Sequence, residues 1–125
     1  MKKILIVDDE EGFRFFVKTN LEIRGDYEVA SAPDGIEGLR LAGEYRPDLI
    51  LLDILMPKMD GFKVLEELKG SEKTKSIPVI MLTARSSDDA RLKALNLGSD
   101  GYVVKPFEMA ELEEKIEQAL NNGEK

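Results

Sequence analysis

Residues 49–57 read LILLDILMP. Four consecutive apolar residues, Leu49 to Leu52, lead into a single aspartate, Asp53, and the chain then turns apolar again. A short run without alternation matches a strand covered on both faces, the kind found inside a parallel sheet. An ionised carboxylate is costly inside a core and cheap at its rim. The stretch therefore predicts a central strand whose C-terminal edge carries Asp53.

Similar β-rich runs recur on either side: KILIVD (3–8), YEVAS (27–31), PVIMLT (78–83) and GYVVK (101–105). Between them lie segments of helical period at about 11–24, 35–46, 60–70, 87–97 and 107–121, the last with Leu112, Ile116, Ala119 and Leu120 at helical spacing. Asp60 and Ser86 or Ser87 read as N-caps, and Gly98 as a helix stop. Five strand–helix units imply βαβ crossovers and a parallel five-stranded sheet in a three-layer α/β sandwich. The first and third runs are continuously apolar and belong in the middle; the second is shorter and more polar and fits an edge. Right-handed crossovers then favour the doubly wound, flavodoxin-like order 2-1-3-4-5.

The chain has 125 residues, enough for one domain, read as 1–121 with a short polar tail at 122–125. It is 42% hydrophobic and 34% charged, which is globular rather than disordered. A net charge of −7 argues against nucleic-acid contact through this domain, because phosphates need a basic face. There is no cysteine, which excludes disulfides and thiolate metal sites, and no histidine, the commonest general base and metal ligand. The N-terminus MKKILIVDD is charged too early for a signal peptide, and no apolar run approaches the ~20 residues of a membrane span. The expected location is the cytoplasm, without membrane contact.

In the predicted fold all strand C-termini share one edge, and ligands bind where the strand order reverses, between strands 1 and 3. That edge collects Asp8 and Asp9 after strand 1, Asp53 after strand 3, Thr83 ending strand 4 and Lys105 ending strand 5. Three converging carboxylates repel one another, so one stays protonated or a cation sits among them. Hard oxygen ligands suit Mg²⁺, with Mn²⁺ as a substitute. Mg²⁺ takes one or two carboxylates and keeps several waters, which leaves Asp53 free to act as a nucleophile and form an acyl phosphate. Thr83 could then donate a hydrogen bond to a phosphoryl oxygen, and Lys105 could offset its charge.

The stretches ILIVDDE (4–10), LLDILMPKMDG (51–61), PVIMLTA (78–84) and GYVVKPF (101–107) carry a resemblance over about residues 3–121. The chain resembles the receiver domain of bacterial two-component response regulators, of the single-domain, chemotaxis-regulator-like kind. The resemblance implies that Asp53 accepts a phosphoryl group from a phosphohistidine of a sensor histidine kinase or histidine phosphotransferase. It implies Asp9 and Asp53 as direct Mg²⁺ ligands, Asp8 acting through water, and the backbone carbonyl of Leu55 completing the protein's share. Thr83 and Lys105 would contact the phosphoryl group, the Lys105–Pro106 bond would be cis, and Pro57 and Gly61 would shape the loop after Asp53. The resemblance further implies a switch built from Thr83, Ala84 and Tyr102 that alters the face formed by helix 4, strand 5 and helix 5. Leu55 and Arg85 would tune hydrolysis of the acyl phosphate. Such a domain is a signalling switch rather than an enzyme, and it acts on a downstream protein target or a fused output domain. An initial Met and a closing helix with a polar tail favour a complete single-domain regulator.

On a helical wheel Phe13, Phe16, Val17 and Leu21 cluster on one side of the first helix, with Phe15 nearly opposite, facing water. Phe15 is therefore a candidate docking aromatic for the kinase, with Phe107 nearby. The first rival is a degenerate receiver that acts as a phosphorylation-independent interaction module, which the intact site residues disfavour. A phosphatase or phosphotransferase with an aspartyl-phosphate intermediate usually has a second aspartate where this chain has Leu55. A flavin binder needs a phosphate cradle after strand 1, where VDDEEG is acidic.

Overall fold

The computed structural model describes residues 1–123. Ten elements alternate along the chain: β1 (Lys2–Val7), α1 (Glu11–Glu22), β2 (Tyr27–Ala32), α2 (Gly35–Tyr45), β3 (Leu49–Leu52), α3 (Gly61–Lys69), β4 (Val79–Thr83), α4 (Asp88–Asn96), β5 (Gly101–Val104) and α5 (Met109–Gly123). The strands pair in parallel in the order β2-β1-β3-β4-β5, as the sequence predicts. Of the expected tail, Asn122 and Gly123 continue α5, whereas Glu124 and Lys125 lie outside the described residues.

The buried stretches of the central strands, Ile4–Val7, Leu49–Leu52 and Val79–Leu82, are apolar because their side chains alternate between two cores. Ile4, Ile6, Leu49, Leu51, Ile80 and Leu82 point to the layer of α1 and α5, where they meet Val17, Leu21, Leu112 and Ile116. Leu5, Val7, Ile50, Leu52, Val79 and Met81 point to the layer of α2, α3 and α4, against Phe62, Leu65, Leu68 and Ala94. All twelve of these strand residues, from β1, β3 and β4, are at 0% or 1% exposure, and each fully buried side chain is worth about 1.5–3 kcal/mol of transfer free energy. β2, at the edge, buries only Val29 and Ala32.

Asp34, Asp60 and Ser87 cap α2, α3 and α4, their side chains accepting the N–H of Glu37, Lys63 and Ala90. Ser87 takes this role rather than Ser86. Gly98 (φ +100°) closes α4: its N–H donates to the Leu95 carbonyl and the Ser99 N–H to that of Ala94, a Schellman stop that needs a left-handed residue. Phe16 departs from the helical-wheel reading. Val17 and Leu21 are buried, but Phe16 stays 48% exposed, because the flank of α1 on which it lies borders an open cleft rather than a packed layer.

Gly61 is held by close approach. A Cβ there would overlap the Asp53 carbonyl oxygen and stand 2.7 Å from the Ile54 Cα, and the Gly61 N–H bonds the Ile54 carbonyl at 2.9 Å. Gly43, inside α2, has nothing within 4 Å of such a Cβ. Gly61→Ala is expected to cost about 1–3 kcal/mol or more in urea unfolding, because backbone must move. Gly43→Ala is expected to stabilise by about 0.5–1 kcal/mol through helix propensity. Equal effects of the two would contradict the packing described here.

Candidate functional site

The strands stop just short of the polar residues they deliver. Asp8, Asp53 and Lys105 each lie one residue beyond β1, β3 and β5, and Thr83 ends β4. Ladder-type hydrogen bonds still fix their backbones: Asp8 N–H to the Ala32 carbonyl (3.2 Å), Asp53 N–H to Val7 (3.0 Å) and Lys105 N–H to Thr83 (2.8 Å). The side chains are thus aimed from a rigid edge.

One carboxylate oxygen from each of Asp8, Asp9 and Asp53 lies within 4.8 Å of the others. Asp8 and Asp53 are buried, at 1% and 5% exposure, and Asp9 faces solvent. Asp8 is the most tightly held: Oδ1 accepts the Glu10 N–H at 2.9 Å, Oδ2 accepts from Lys105 Nζ at 2.7 Å, and its backbone carbonyl accepts from Arg14 at 2.8 Å. The Lys105 ammonium also stands 3.8 Å from Asp53 Oδ2 and 3.9 Å from Glu10 Oε1. Asp53 Oδ1 accepts the Leu55 N–H at 3.3 Å, and the fully buried Thr83 hydroxyl accepts the Arg85 N–H at 3.3 Å.

Burial pushes the Asp53 carboxyl above its ordinary range, and the neighbouring Asp8 charge adds to this. Lys105 opposes it, with smaller help from the Thr83 hydroxyl and the Leu55 amide. Three carboxylates face one ammonium, so negative charge is in excess. This all-oxygen set is compatible with Mg²⁺, which prefers hard ligands and would relieve the repulsion.

Tyr102 is half-buried, and its hydroxyl donates to the Arg85 carbonyl at 2.6 Å while the Arg91 guanidinium lies 4.8 Å from its ring centre. Burial raises its pKa, so it remains a donor at neutral pH. Ala84, between Thr83 and Arg85, is exposed. The Lys105–Pro106 bond is cis. An apolar cleft of about 490 Å³ adjoins the carboxylates, lined by Phe13, Phe16, Ala84, Lys105, Pro106 and Phe107. Phe15 is 70% exposed but lines a different recess with Glu11, Arg14, Lys18 and Ser31, so the structure does not bring it to Phe107. The sequence reading missed Phe13, whose ring centre lies 3.9 Å from Lys105 Nζ. The larger groove, about 860 Å³ and including Asp26, Asp48 and Glu117, contains none of the three clustered aspartates.

The sign of the Asp53 effect on stability follows from its raised pKa. A carboxyl whose folded pKa exceeds its unfolded value stabilises below the unfolded pKa, and loses that contribution as pH rises through the folded value. At neutral pH the ionised group is therefore a net cost. Asp53→Asn, in chelator at pH 7, is expected to raise the melting midpoint by roughly 2–5 °C, about 1 kcal/mol for a domain of this size. The gain should shrink as the pH is lowered through the carboxylate range; an unchanged or lower midpoint at pH 7 would contradict the raised carboxyl of Asp53.

The comparisons with known proteins agree with this geometry. The family model described as the response regulator receiver domain matches residues 4–117. The probable transcriptional regulator ycf27 of Porphyridium aerugineum is 44% identical over 124 residues, 99% of this chain and 50% of that protein. The DNA-binding dual master transcriptional regulator RpaA of Synechocystis sp. is 40% identical over 125 residues, 100% of this chain and 52% of that protein. The chain thus spans about half the length of the curated relatives it matches. Among solved structures, a CheY-like receiver domain protein from Methanospirillum hungatei superposes with a TM-score of 0.92 at 35% identity, covering 99% of this chain and 97% of that one. With the strand order, the carboxylate cluster and the family match in agreement, the chain belongs to the receiver domains of response regulators, the signalling switches of two-component systems.

Proposed function

We propose that this receiver takes a phosphoryl group onto Asp53 from a phosphohistidine of a sensor histidine kinase or histidine phosphotransferase. The observation that supports it most is the convergence on one buried carboxylate of Asp8, Asp9 and Lys105 at the end of a rigid strand. An Asp53 oxygen attacks phosphorus, the P–N bond to the donor imidazole breaks, and its electron pair returns to the ring nitrogen, which takes a proton. Asp53 becomes an acyl phosphate. Mg²⁺, held by Asp9, Asp53 and the Leu55 carbonyl with Asp8 acting through water, would supply charge neutralisation for the phosphoryl oxygens. Lys105 adds a point charge on the same side, and Thr83 a hydroxyl donor. Burial of Asp53 reduces the water that competes for its lone pairs.

The added charge would draw Thr83 toward the phosphoryl group and let Tyr102 turn inward from the Arg85 carbonyl, with Ala84 small enough to permit the motion. This biases a two-state element and changes the face of α4, β5 and α5. In this reading Arg85 and Leu55 tune hydrolysis of the acyl phosphate. The output is a protein target or a fused segment: the relatives named as transcriptional regulators are about twice as long as this chain. The acidic receiver itself makes no nucleic-acid contact in this reading. Among the described residues no helix is long and apolar enough to cross a membrane, and we place the chain in the cytoplasm.

The donor docks, in this reading, at the cleft of Phe13, Phe16 and Phe107, because Lys105 lines both that cleft and the carboxylate cluster. Phe15 lies outside it. Phe16→Glu is expected to slow transfer from a donor kinase at least tenfold relative to transfer from acetyl phosphate; equal slowing with both donors removes the docking assignment.

The primary test is intact mass after incubation with acetyl phosphate and Mg²⁺. An adduct of about 80 Da is expected on the parent, dependent on Mg²⁺ and absent from Asp53→Asn. No adduct on the parent, or an equal one on the variant, would sink the phosphoacceptor reading.

A further inference from the structure

Lys105 carries its charge on a flexible four-carbon stem, yet its ammonium has to stay on one side of a crowded rim. Asp8 at 2.7 Å, Asp53 at 3.8 Å and Glu10 at 3.9 Å all compete for it, and Glu10 is 70% exposed and could draw it outward. The side chain is nevertheless only 14% exposed. On its apolar side the ring of Phe13 lies against it, with its centre 3.9 Å from Nζ. The ring of Phe107 stands at 82° to that of Phe13 with centroids 6.0 Å apart, an edge-type contact that holds the ring in place.

We propose that Phe13 is a positioning residue for Lys105, its ring face holding the ammonium against Asp8 and Asp53. The negative face of an aromatic ring attracts a cation most strongly where water is excluded, and this cation is largely covered. Among the described residues, the other cation–ring contacts, Arg85 and Lys93 over Phe62, Arg91 over Tyr102 and Lys3 over Tyr45, involve no cation paired with Asp8 or Asp53. An aliphatic residue could fill the volume of Phe13 but has no charged face to offer. Shape and electrostatics can therefore be separated. The effect on rate rests on the reading of Asp53 as phosphoacceptor; the contact itself does not.

The test replaces Phe13 in the full chain with mono-, di- and trifluorinated phenylalanine, which weakens the ring's negative face at nearly constant shape. Adduct formation with acetyl phosphate and saturating Mg²⁺ is followed by intact mass, and the Lys105 Cε–Hε resonances by NMR in metal-free buffer. The rate is expected to fall stepwise, by about threefold to tenfold at three fluorines, with the melting midpoint nearly constant. Phe13→Tyr should retain the rate within about twofold, and the upfield ring-current shift of Lys105 Hε should persist in Phe13→Tyr and vanish in Phe13→Leu. A rate indifferent to fluorination overturns the proposal, as does an unshifted Lys105 Hε in the parent. If the parent forms no adduct, the phosphoacceptor reading has failed, and the ring-current shift still decides whether Phe13 holds Lys105.

Discussion

The pairing of β1 with β3 is the constraint on which the site depends. Their register matches Ile4 with Leu49 and Val7 with Leu52, so the next residue on each strand, Asp8 and Asp53, must stand side by side. A slip of one residue would reverse every side chain between the two cores, and the paired stretches Ile4–Val7 and Leu49–Leu52 are apolar on both faces with no room for a charge. Burial of these strands therefore forces the two aspartates out at the same edge. The hydrophobic core sets the separation of two like charges and leaves electrostatics to be balanced by what the other strands bring.

That balance comes mainly from Lys105, delivered by β5 on the far side of β4. The ammonium is closest to Asp8, whose other oxygen is taken by the Glu10 amide, so Asp8 is well satisfied. Asp53 is left with a longer contact to Lys105 and weaker help from the Thr83 hydroxyl and the Leu55 amide, and burial keeps its carboxyl raised. The residue proposed to carry the chemistry is thus the least compensated of the buried carboxylates. This suits a nucleophile, because each partner an oxygen accepts from reduces its readiness to attack.

The loop after β3 and the aromatic cluster beside α1 adapt the common frame to this chain. Gly61 lets α3 begin against the backbone of Asp53 and Ile54, which fixes the loop that carries Leu55. Lys58 takes a left-handed conformation (φ +70°) within the same loop. On the other side, Phe13 and Phe107 form a rigid corner around Lys105, and Phe16 opens that corner to solvent. The apolar cleft and the acidic cluster consequently share a wall.

Much of this was legible in the sequence. The apolar runs at 3–8 and 49–53 named two central strands, because only strands covered on both faces lack alternation. The strand order and the rim of Asp8, Asp9, Asp53, Thr83 and Lys105 followed from that pattern, and Asp60 and Ser87 announced their helices by cap chemistry. The tertiary structure alone decided what lies beside what across the helical layers. A helical wheel ranks the faces of α1 but cannot say where its neighbours end, so Phe16 read as core and is exposed, and Phe15 and Phe107 read as companions and line different recesses. The Phe13–Lys105 contact joins residues from opposite ends of the chain. Local sequence dictates periodicity and capping because those forces act over a few residues; a ring over an ammonium depends on the packing of every strand between them.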